Sequence, residues 1–409
     1  MRIDPALHPW MSAPETTQVM TALGMARFVG GAVRDAMVGA PVTDVDIAVP
    51  MPPSEVLARL KAHDIRAIPT GLDHGTVSAL AGGKLFEITS LRRDVATDGR
   101  HAQVAFTDDW AEDAARRDFT INALYAAPDG EIFDYATGVE DLIAGRVRFM
   151  GDARTRIAED HLRILRLFRF QAWYGRGEID ADALRAAAEA KEKLATLSGE
   201  RVAKELLRLL EADNPAPVLR VMAATGILSQ LLPGALQLPR LERLAEIDAG
   251  NFHARDALLR LAALLPDDAA IADRTADVLR LSNDARARLT VVLGGEPAMA
   301  SWLSARQARV LLYRIGAARF RDRVMLKWAA SPPGTGAIQW RMLLTMAENW
   351  QQPRFALSGR DVMAAGVPEG PRVGKVLDAL EAWWVEMDFA PGEGALRDKM
   401  AALIAGGGA

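Results

Sequence analysis

The spacing of apolar residues changes near Gly151, from interleaved strand and helix spacing to almost purely helical spacing, and so predicts two differently built regions. Before that point, short apolar runs bounded by Gly, Pro and Asp predict strands: "MARFVGGAV", "TDVDIAVP", "DIRAIPTG", "TVSALAGGKLFEITSL" and "HAQVAFTDD", with "AGGK" as a hairpin turn. Between and after them, "GAVRDAMVG", "PSEVLARLKAHD" and "WAEDAARRDFTINALYA" predict helices. Beyond Gly151 helical periodicity takes over, as in "ARTRIAEDHLRILRLFRFQAW" and "GERVAKELLRLLEA". Breaks fall at "ADNPAP", "LLPGALQLP", "LLPDDAA" and "SPPGTGA". The expected fold class is α+β: a head with a mixed sheet over 1–150, then an elongated all-α remainder. Its expected parts are a neck (151–215), a body (216–330) and a tail (331–409).

Composition narrows the functional classes. The chain has 409 residues, half of them hydrophobic and a quarter charged, which suits a soluble globular protein with more than one domain. It has no cysteine, which excludes disulfides and thiolate metal sites. Its six histidines, His8, His63, His74, His101, His161 and His253, form no ligand-spaced cluster. The N-terminal stretch has no apolar core of the signal-peptide kind and no run is long enough to span a bilayer, so a cytoplasmic protein is expected. At a formal net charge of −4, any contact with nucleic acid must come from local basic patches.

The stretch "TDVDIAVP" places Asp44 and Asp46 one residue apart in an apolar run that reads as a buried strand. Alternation would send both carboxylates to one face and Val45 and Ile47 into the core. Upstream, Gly30 and Gly31 sit at a strand-to-helix junction, where missing side chains let backbone amides approach an anion. A third acid, Glu87, lies in the strand "KLFEITSL". A solvated sheet edge is the plain explanation for any one of these acids. Three converging carboxylates beside a glycine pair point instead to divalent cations bridging hard oxygens and phosphate, the arrangement of an in-line phosphoryl displacement.

With these residues in place, the chain resembles a known family. "GGAVRD…TDVDIA", "RRDFTINALY" and "RIAEDHLRILRLFRF" are similar to successive motifs of the class II tRNA nucleotidyltransferases, the CCA-adding enzymes, over residues 28–210. These share a polymerase-β-like nucleotidyltransferase head with bacterial poly(A) polymerases. The resemblance implies that Asp44 and Asp46 hold catalytic Mg²⁺, with Glu87 as a third catalytic acid. It implies a nucleotide site built from Gly30, Gly31, Arg34, Arg117, Asp118, Asn122, Glu159, Asp160, Arg163 and Arg166. The implied partners are the tRNA 3′ end, on its acceptor arm, and CTP and ATP, with no membrane and no protein partner. Poly(A) polymerase and CC-adding activities are the neighbouring alternatives. The retained "DGRH" in "LRRDVATDGRHAQVAF", a loop associated in the family with the final A, argues against CC addition alone. The absence of a basic extension after "ALRDKMAALIAGGGA" argues against poly(A) synthesis.

The segment "RTRIAEDHLRILRLFRF" supplies the expected base reader. Read as one helix, it lines up Arg156, Asp160 and Arg163 in a stripe, with Glu159 and Arg166 beside it and Ile157, Ile164 and Phe168 opposite. An ion-paired surface is the ordinary explanation for such a pattern. Base-edge chemistry favours a stronger one. Aspartate only accepts and arginine only donates, so an Asp160–Arg163 pair complements cytosine and adenine and mispairs with uracil and guanine. Leaving a buried charged group mispaired costs on the order of 1–3 kcal/mol, enough for useful rejection. The family's EDxxR motif carries this templating role. By the same resemblance Arg117, Asp118 and Asn122 address the ribose, Gly138 is a hinge, and Glu200 and Arg201 buttress the templating helix. In the tail, Arg360, Arg372 and Lys375 lie in a turn-rich context that suits RNA phosphates, or equally a helical packing corner.

Overall fold

The computed structural model describes residues 1–72, 75–98, 101–251, 254–295 and 298–406, with backbone only for 94–98, 101–104 and 251. Two compact units divide it, Met1–Leu232 and Pro233–Ala409, and the boundary falls inside the break "LLPGALQLP".

The first unit is built on a seven-stranded mixed sheet. Its strands are β1 (Arg27–Val29), β2 (Asp46–Val49), β3 (Arg66–Gly71), β4 (Thr76–Ala81) and β5 (Lys84–Ser90). A separate hairpin, β6 (Arg92–Asp98) and β7 (His101–Phe106), precedes β8 (Leu124–Ala126) and β9 (Ile132–Asp134). The spatial order is β3-β4-β5-β2-β1-β8-β9. β2 and β5 run parallel, whereas the other neighbours pair antiparallel. The β4–β5 turn places both Gly82 and Gly83 at positive φ, as a tight hairpin turn requires. Ile47, Ala48 and Val49 are buried in β2, as the apolar run predicts.

Helices cover this sheet and then continue alone. They are α1 (Pro9–Ser12), α2 (Pro14–Leu23), α3 (Gly31–Met37), α4 (Pro53–Ala62), α5 (Trp110–Ala115) and α6 (Gly138–Ala144). There follow α7 (Ala153–Glu159), α8 (Leu162–Tyr174), α9 (Ala181–Glu189), α10 (Gly199–Leu210), α11 (Ala216–Ala224) and α12 (Leu228–Leu231). Aspartates start several of them. Asp109, Asp152 and Asp180 accept from the first-turn amides of α5, α7 and α9, satisfying donors that no helical carbonyl reaches. α10 packs on α8 through Val202, Leu206 and Leu209, all buried on one side of a strongly amphipathic helix.

Three sequence expectations need correction. "WAEDAARRDFTINALYA" is not one helix: α5 stops at Ala115, a 3₁₀ turn covers Thr120–Asn122, and the rest is β8. Pairing with β1 and β9 draws Leu124, Tyr125 and Ala126 into the sheet and overrides their helical spacing. Asp44 lies outside the strand, because β1 ends at Val29 and β2 has no pairing partner before Asp46. "ARTRIAEDHLRILRLFRFQAW" is broken at Asp160, which is extended. The Asp160 carboxylate accepts from the Leu162 amide two residues on (3.1 Å) and so ends α7 while starting α8. The polar segment between Arg92 and Phe106 is mostly hairpin. Gly99 and Arg100 of "DGRH" lie outside the described residues, as do the side chains of Asp98 and His101.

The second unit is helical among its described residues, running from α13 (Leu238–Asn251) to α22 (Glu393–Ala405). Partly buried ion pairs link its helices, with Arg288 bonded to both Asp256 and Asp322 at 2.6 Å. Near its end Val362, Val376, Leu380, Trp384 and Met400 form an apolar cluster. Arg360, Arg372 and Lys375 are exposed around that packing corner.

Candidate active site

The site begins where β1 ends. Gly30 takes a positive φ of 67°, and its amide donates to the Leu124 carbonyl (3.0 Å). A Cβ there would meet Arg117 Nη1 at 3.4 Å and the Asn122 carbonyl at 3.6 Å, ordinary contact distances, so the positive φ of the turn is what favours glycine. The chain then enters α3, which carries Arg34 and Asp35. A cleft of about 530 Å³ opens here, lined by Gly30, Gly31, Arg34, Thr43, Asp46, Arg117, Asp118, Asn122 and, from α8, Arg166, Arg169, Phe170, Trp173 and Tyr174. Arg208 of α10 completes the wall.

Two arginine holds organise this wall. Arg34 Nη1 donates to Asn122 Oδ1 (2.5 Å), and Asn122 Nδ2 donates to Asp118 Oδ1 (3.0 Å). The other Asp118 oxygen accepts from Arg166 Nε (2.6 Å). Burial pushes the Asp118 carboxyl up, but Arg166 and the hydrogen bonds from Asn122 outweigh it and hold it below the ordinary range. Arg166 also lies 3.7 Å from Glu205, a buried acid of α10 that pairs with Arg169 at 2.9 Å. Phe170 and Tyr174 provide apolar faces for these cations. The Arg34 guanidinium sits 4.2 Å from the Tyr174 ring centre, and Arg169 sits 4.3 Å from Phe170. Tyr174 donates to Asp35 (2.7 Å), and burial pushes its hydroxyl up to about 12. The wall is thus rich in guanidinium groups whose orientation is fixed before any ligand arrives.

The acids stand differently. Asp46 and Glu87 are register partners in the parallel strands β2 and β5, so their side chains leave the same face of the sheet. Asp46 lines the cleft; Glu87 and Asp44 are exposed and do not. Burial and then the neighbouring Glu87 push the Asp46 carboxyl up to about 6, with Arg117 opposing and Asp44 adding to the rise. Among the described residues no three acids or imidazoles already converge as a metal cage. The donor set still suits a hard divalent ion: Mg²⁺ takes one or two carboxylates and completes its shell with water and substrate phosphate.

The residues expected to read the base, Glu159, Asp160 and Arg163, do not line the cleft. Glu159 accepts from Arg156 Nη1 (3.0 Å) and pairs with Arg163 Nη1. Arg163 Nη1 also donates to the Arg156 carbonyl (2.8 Å), which leaves its Nε and Nη2 outside these bonds. Asp160 pairs with Arg201 of α10 at 2.6 Å. Asp160 and Arg163 are therefore each held by another residue rather than by one shared helical stripe. Ile157, Ile164 and Phe168 are buried on the opposite side, as predicted. Gly138 opens α6 with Thr120 O only 2.2 Å from where its Cβ would lie, so packing alone demands glycine there.

Sequence reasoning missed Asp35, Arg169, Phe170, Trp173, Tyr174, Glu205 and Arg208. Part of that signal was available: Arg166, Phe170 and Trp173 follow one another at helical spacing along α8. Asp35 and Glu205, each paired across helices, gave none.

Comparison with known proteins fits this geometry. Residues 26–148 match the family model for the poly A polymerase head domain, and residues 178–238 match that for a probable RNA and SrmB-binding site of polymerase A. The mouse mitochondrial CCA tRNA nucleotidyltransferase 1 is 34% identical over 378 residues, covering 89% of this chain and 83% of the relative. The chain belongs to the CCA-adding enzymes, the CCA tRNA nucleotidyltransferases. A bacterial member, the CCA-adding enzyme of Latilactobacillus sakei, is 32% identical over 90% of this chain and 91% of its own. The fold agrees along the whole length. The crystal structure of the Bacillus stearothermophilus CCA-adding enzyme in complex with CTP has a TM-score of 0.75 and 26% identity, covering 96% of this chain and 97% of that one. No helix among the described residues is long and apolar enough to cross a membrane.

Proposed function

We propose that this chain adds C, C and A in turn to the 3′ end of tRNA, using CTP and ATP and no nucleic-acid template. In each round the terminal 3′-oxygen bonds to the α-phosphorus, the bond to pyrophosphate breaks, and the hydroxyl proton leaves to solvent. The observation that carries this reading is the juxtaposition of Asp46 with a cleft lined by Arg34, Arg117 and Arg166, a carboxylate next to a preorganised polyanion site.

The residue roles belong to the same proposal. Asp44 and Asp46 hold Mg²⁺, with Glu87 the third acid, and the bound ion would lower the effective pKa of the 3′-hydroxyl and stabilise the leaving pyrophosphate. Gly30 and Gly31 admit the triphosphate, with Arg34, Arg117 and Arg166 around it. Asp118 and Asn122 address the ribose. Asp160 and Arg163 read the base edge, oriented by Arg201 and Glu159 respectively. Residues 1–150 act as catalytic head, 151–215 as templating neck, 216–330 as body and 331–409 as a tRNA-binding tail. A cytoplasmic location is part of this reading, consistent with a cysteine-free chain that needs no oxidising compartment.

One assay tests the reading: tRNA lacking its 3′ CCA, Mg²⁺, and CTP and ATP supplied separately and together. Two residues are expected from CTP alone and three, with a stop, from both. A ladder from ATP alone would mean poly(A) synthesis, and a halt at two with both nucleotides would mean CC addition.

A further inference from the structure

Arg117 reaches the cleft from a carboxylate that does not line it. Asp113 of α5 is 1% exposed, and its two oxygens face different neighbours. Oδ2 accepts from Arg117 Nη2 (3.0 Å), Arg117 Nε (3.3 Å) and the Tyr125 hydroxyl (2.7 Å). The Tyr125 oxygen in turn accepts from Arg117 Nε (3.2 Å), closing a three-membered network. Oδ1 accepts from Arg116 Nε and Nη2 (2.8 and 2.6 Å) and from the main-chain N–H of Arg92 (3.3 Å). Arg92 is the first residue of β6, so this last bond seats the root of the β6–β7 hairpin. Burial pushes the Asp113 carboxyl up, but Arg117 and Arg116 outweigh it and keep it ionised. Its chain neighbour Ala114 and its partner Tyr125 belong to one apolar cluster with Leu91, the residue before Arg92.

We infer that Asp113 is a positioning residue that couples the β6–β7 hairpin to Arg117, so that one carboxylate sets both the seating of the hairpin and the hold on the incoming nucleotide. This rests on reading Arg117 as a nucleotide-binding residue. A purely structural acid would need only enough donors to stay satisfied. Here the donors divide between the two oxygens, Arg117 of the cleft with Tyr125 on one and the hairpin root with Arg116 on the other. Any event that shifts Arg117 pulls on the group that anchors Arg92, and the reverse.

Two conservative variants separate the halves. Tyr125→Phe keeps ring and packing but removes one donor to Oδ2 and one acceptor for Arg117. Asp113→Asn keeps the volume but presents an amide NH₂ to one of the two donor sets, whichever way the amide turns. The full chain is assayed for CTP addition to tRNA lacking CCA and ATP addition to tRNA ending in CC. Hydrogen exchange at the Arg92 amide is followed with and without CTP. For Tyr125→Phe, the nucleotide KM is expected to rise about tenfold, the scale of one hydrogen bond to a charged group, while the tRNA KM stays constant. In the parent chain, CTP should slow exchange at Arg92, and Tyr125→Phe should weaken that response. Asp113→Asn should show both effects, larger. If Asp113→Asn does not fold, Tyr125→Phe alone decides. The coupling is overturned if nucleotide KM and the Arg92 response match the parent in the variants that fold, or if nucleotide and tRNA kinetics fall together with the melting temperature. A parent chain that adds no nucleotide at all would overturn the underlying reading as well. A parent that completes CCA beside indifferent variants overturns the coupling alone.

Discussion

The acids at the end of β2 and the arginines of the cleft wall lie in one unit and are built on opposite rules. On the wall nearly every charge has a partner: Asp118 with Arg166 and Asn122, Arg117 with Asp113, Arg169 with Glu205. Asp46 has acids among its neighbours, and burial first, then Glu87, hold its carboxyl up near 6 against the pull of Arg117. The difference shows which part is finished by folding and which waits for what it binds. A wall that must orient a flexible triphosphate gains from fixed geometry. A site that must take up divalent cations gains from repulsion that only a cation relieves.

The comparison can be broken most sharply at Asp46. Asp46→Ala should lower nucleotide addition by more than about 100-fold, since even outer-shell losses at metal sites reach 10–100-fold. tRNA affinity, measured by gel shift, should hold. Near-normal turnover in Mg²⁺ would remove Asp46 from the metal site.

A smaller effect is expected on base choice. Arg163→Ala should raise incorporation of UTP and GTP relative to CTP by roughly tenfold, the scale set by one mispaired buried group, with less effect on rate. An unchanged ratio of incorporation would leave Arg163 as a partner for Glu159 and nothing more.

The smallest effect separates the two regions by sign. Without metal, Asp46→Asn should raise the melting temperature by about 2–4 °C at pH 7.5, the equivalent of about 1 kcal/mol. Asp118→Asn should lower it by roughly 4–8 °C, because it strips Arg166 of its counter-charge. The pH dependence follows from the sign of the Asp46 shift. The folded chain holds that proton more tightly than the unfolded one, so this group's contribution to stability falls as pH rises from about 4 through about 6. The gain from Asp46→Asn should therefore disappear in melts below pH 4. A gain that persists there would come from packing rather than charge.

Much of this was legible in the residues. Strand runs announced a head built on a mixed sheet, the glycine pair and Asp46 do line one cleft, and the apolar residues of α8 are buried as expected. The errors have two causes. Asp44 and the β8 segment were decided by something outside the local window, a strand that ends early and an edge that recruits, whereas the break at Asp160 comes from its own bond to the amide two residues on, which apolar spacing does not register. Local spacing cannot see these. The polar partners were the least visible. Asp113 and Glu205 look like surface charges in a helix, and only the approach of Arg117 and Arg169 in three dimensions gives them work.

The parallel pairing of β2 with β5 also bears on how the molecule comes into being. Asp46 and Glu87 face each other from positions about forty residues apart, so pairing their strands closes a far longer loop than the β4–β5 hairpin does and carries the larger entropic cost. The edge that carries both acids is therefore expected among the later features of the head to assemble, and a nascent chain has no acid pair to present until β5 has reached β2.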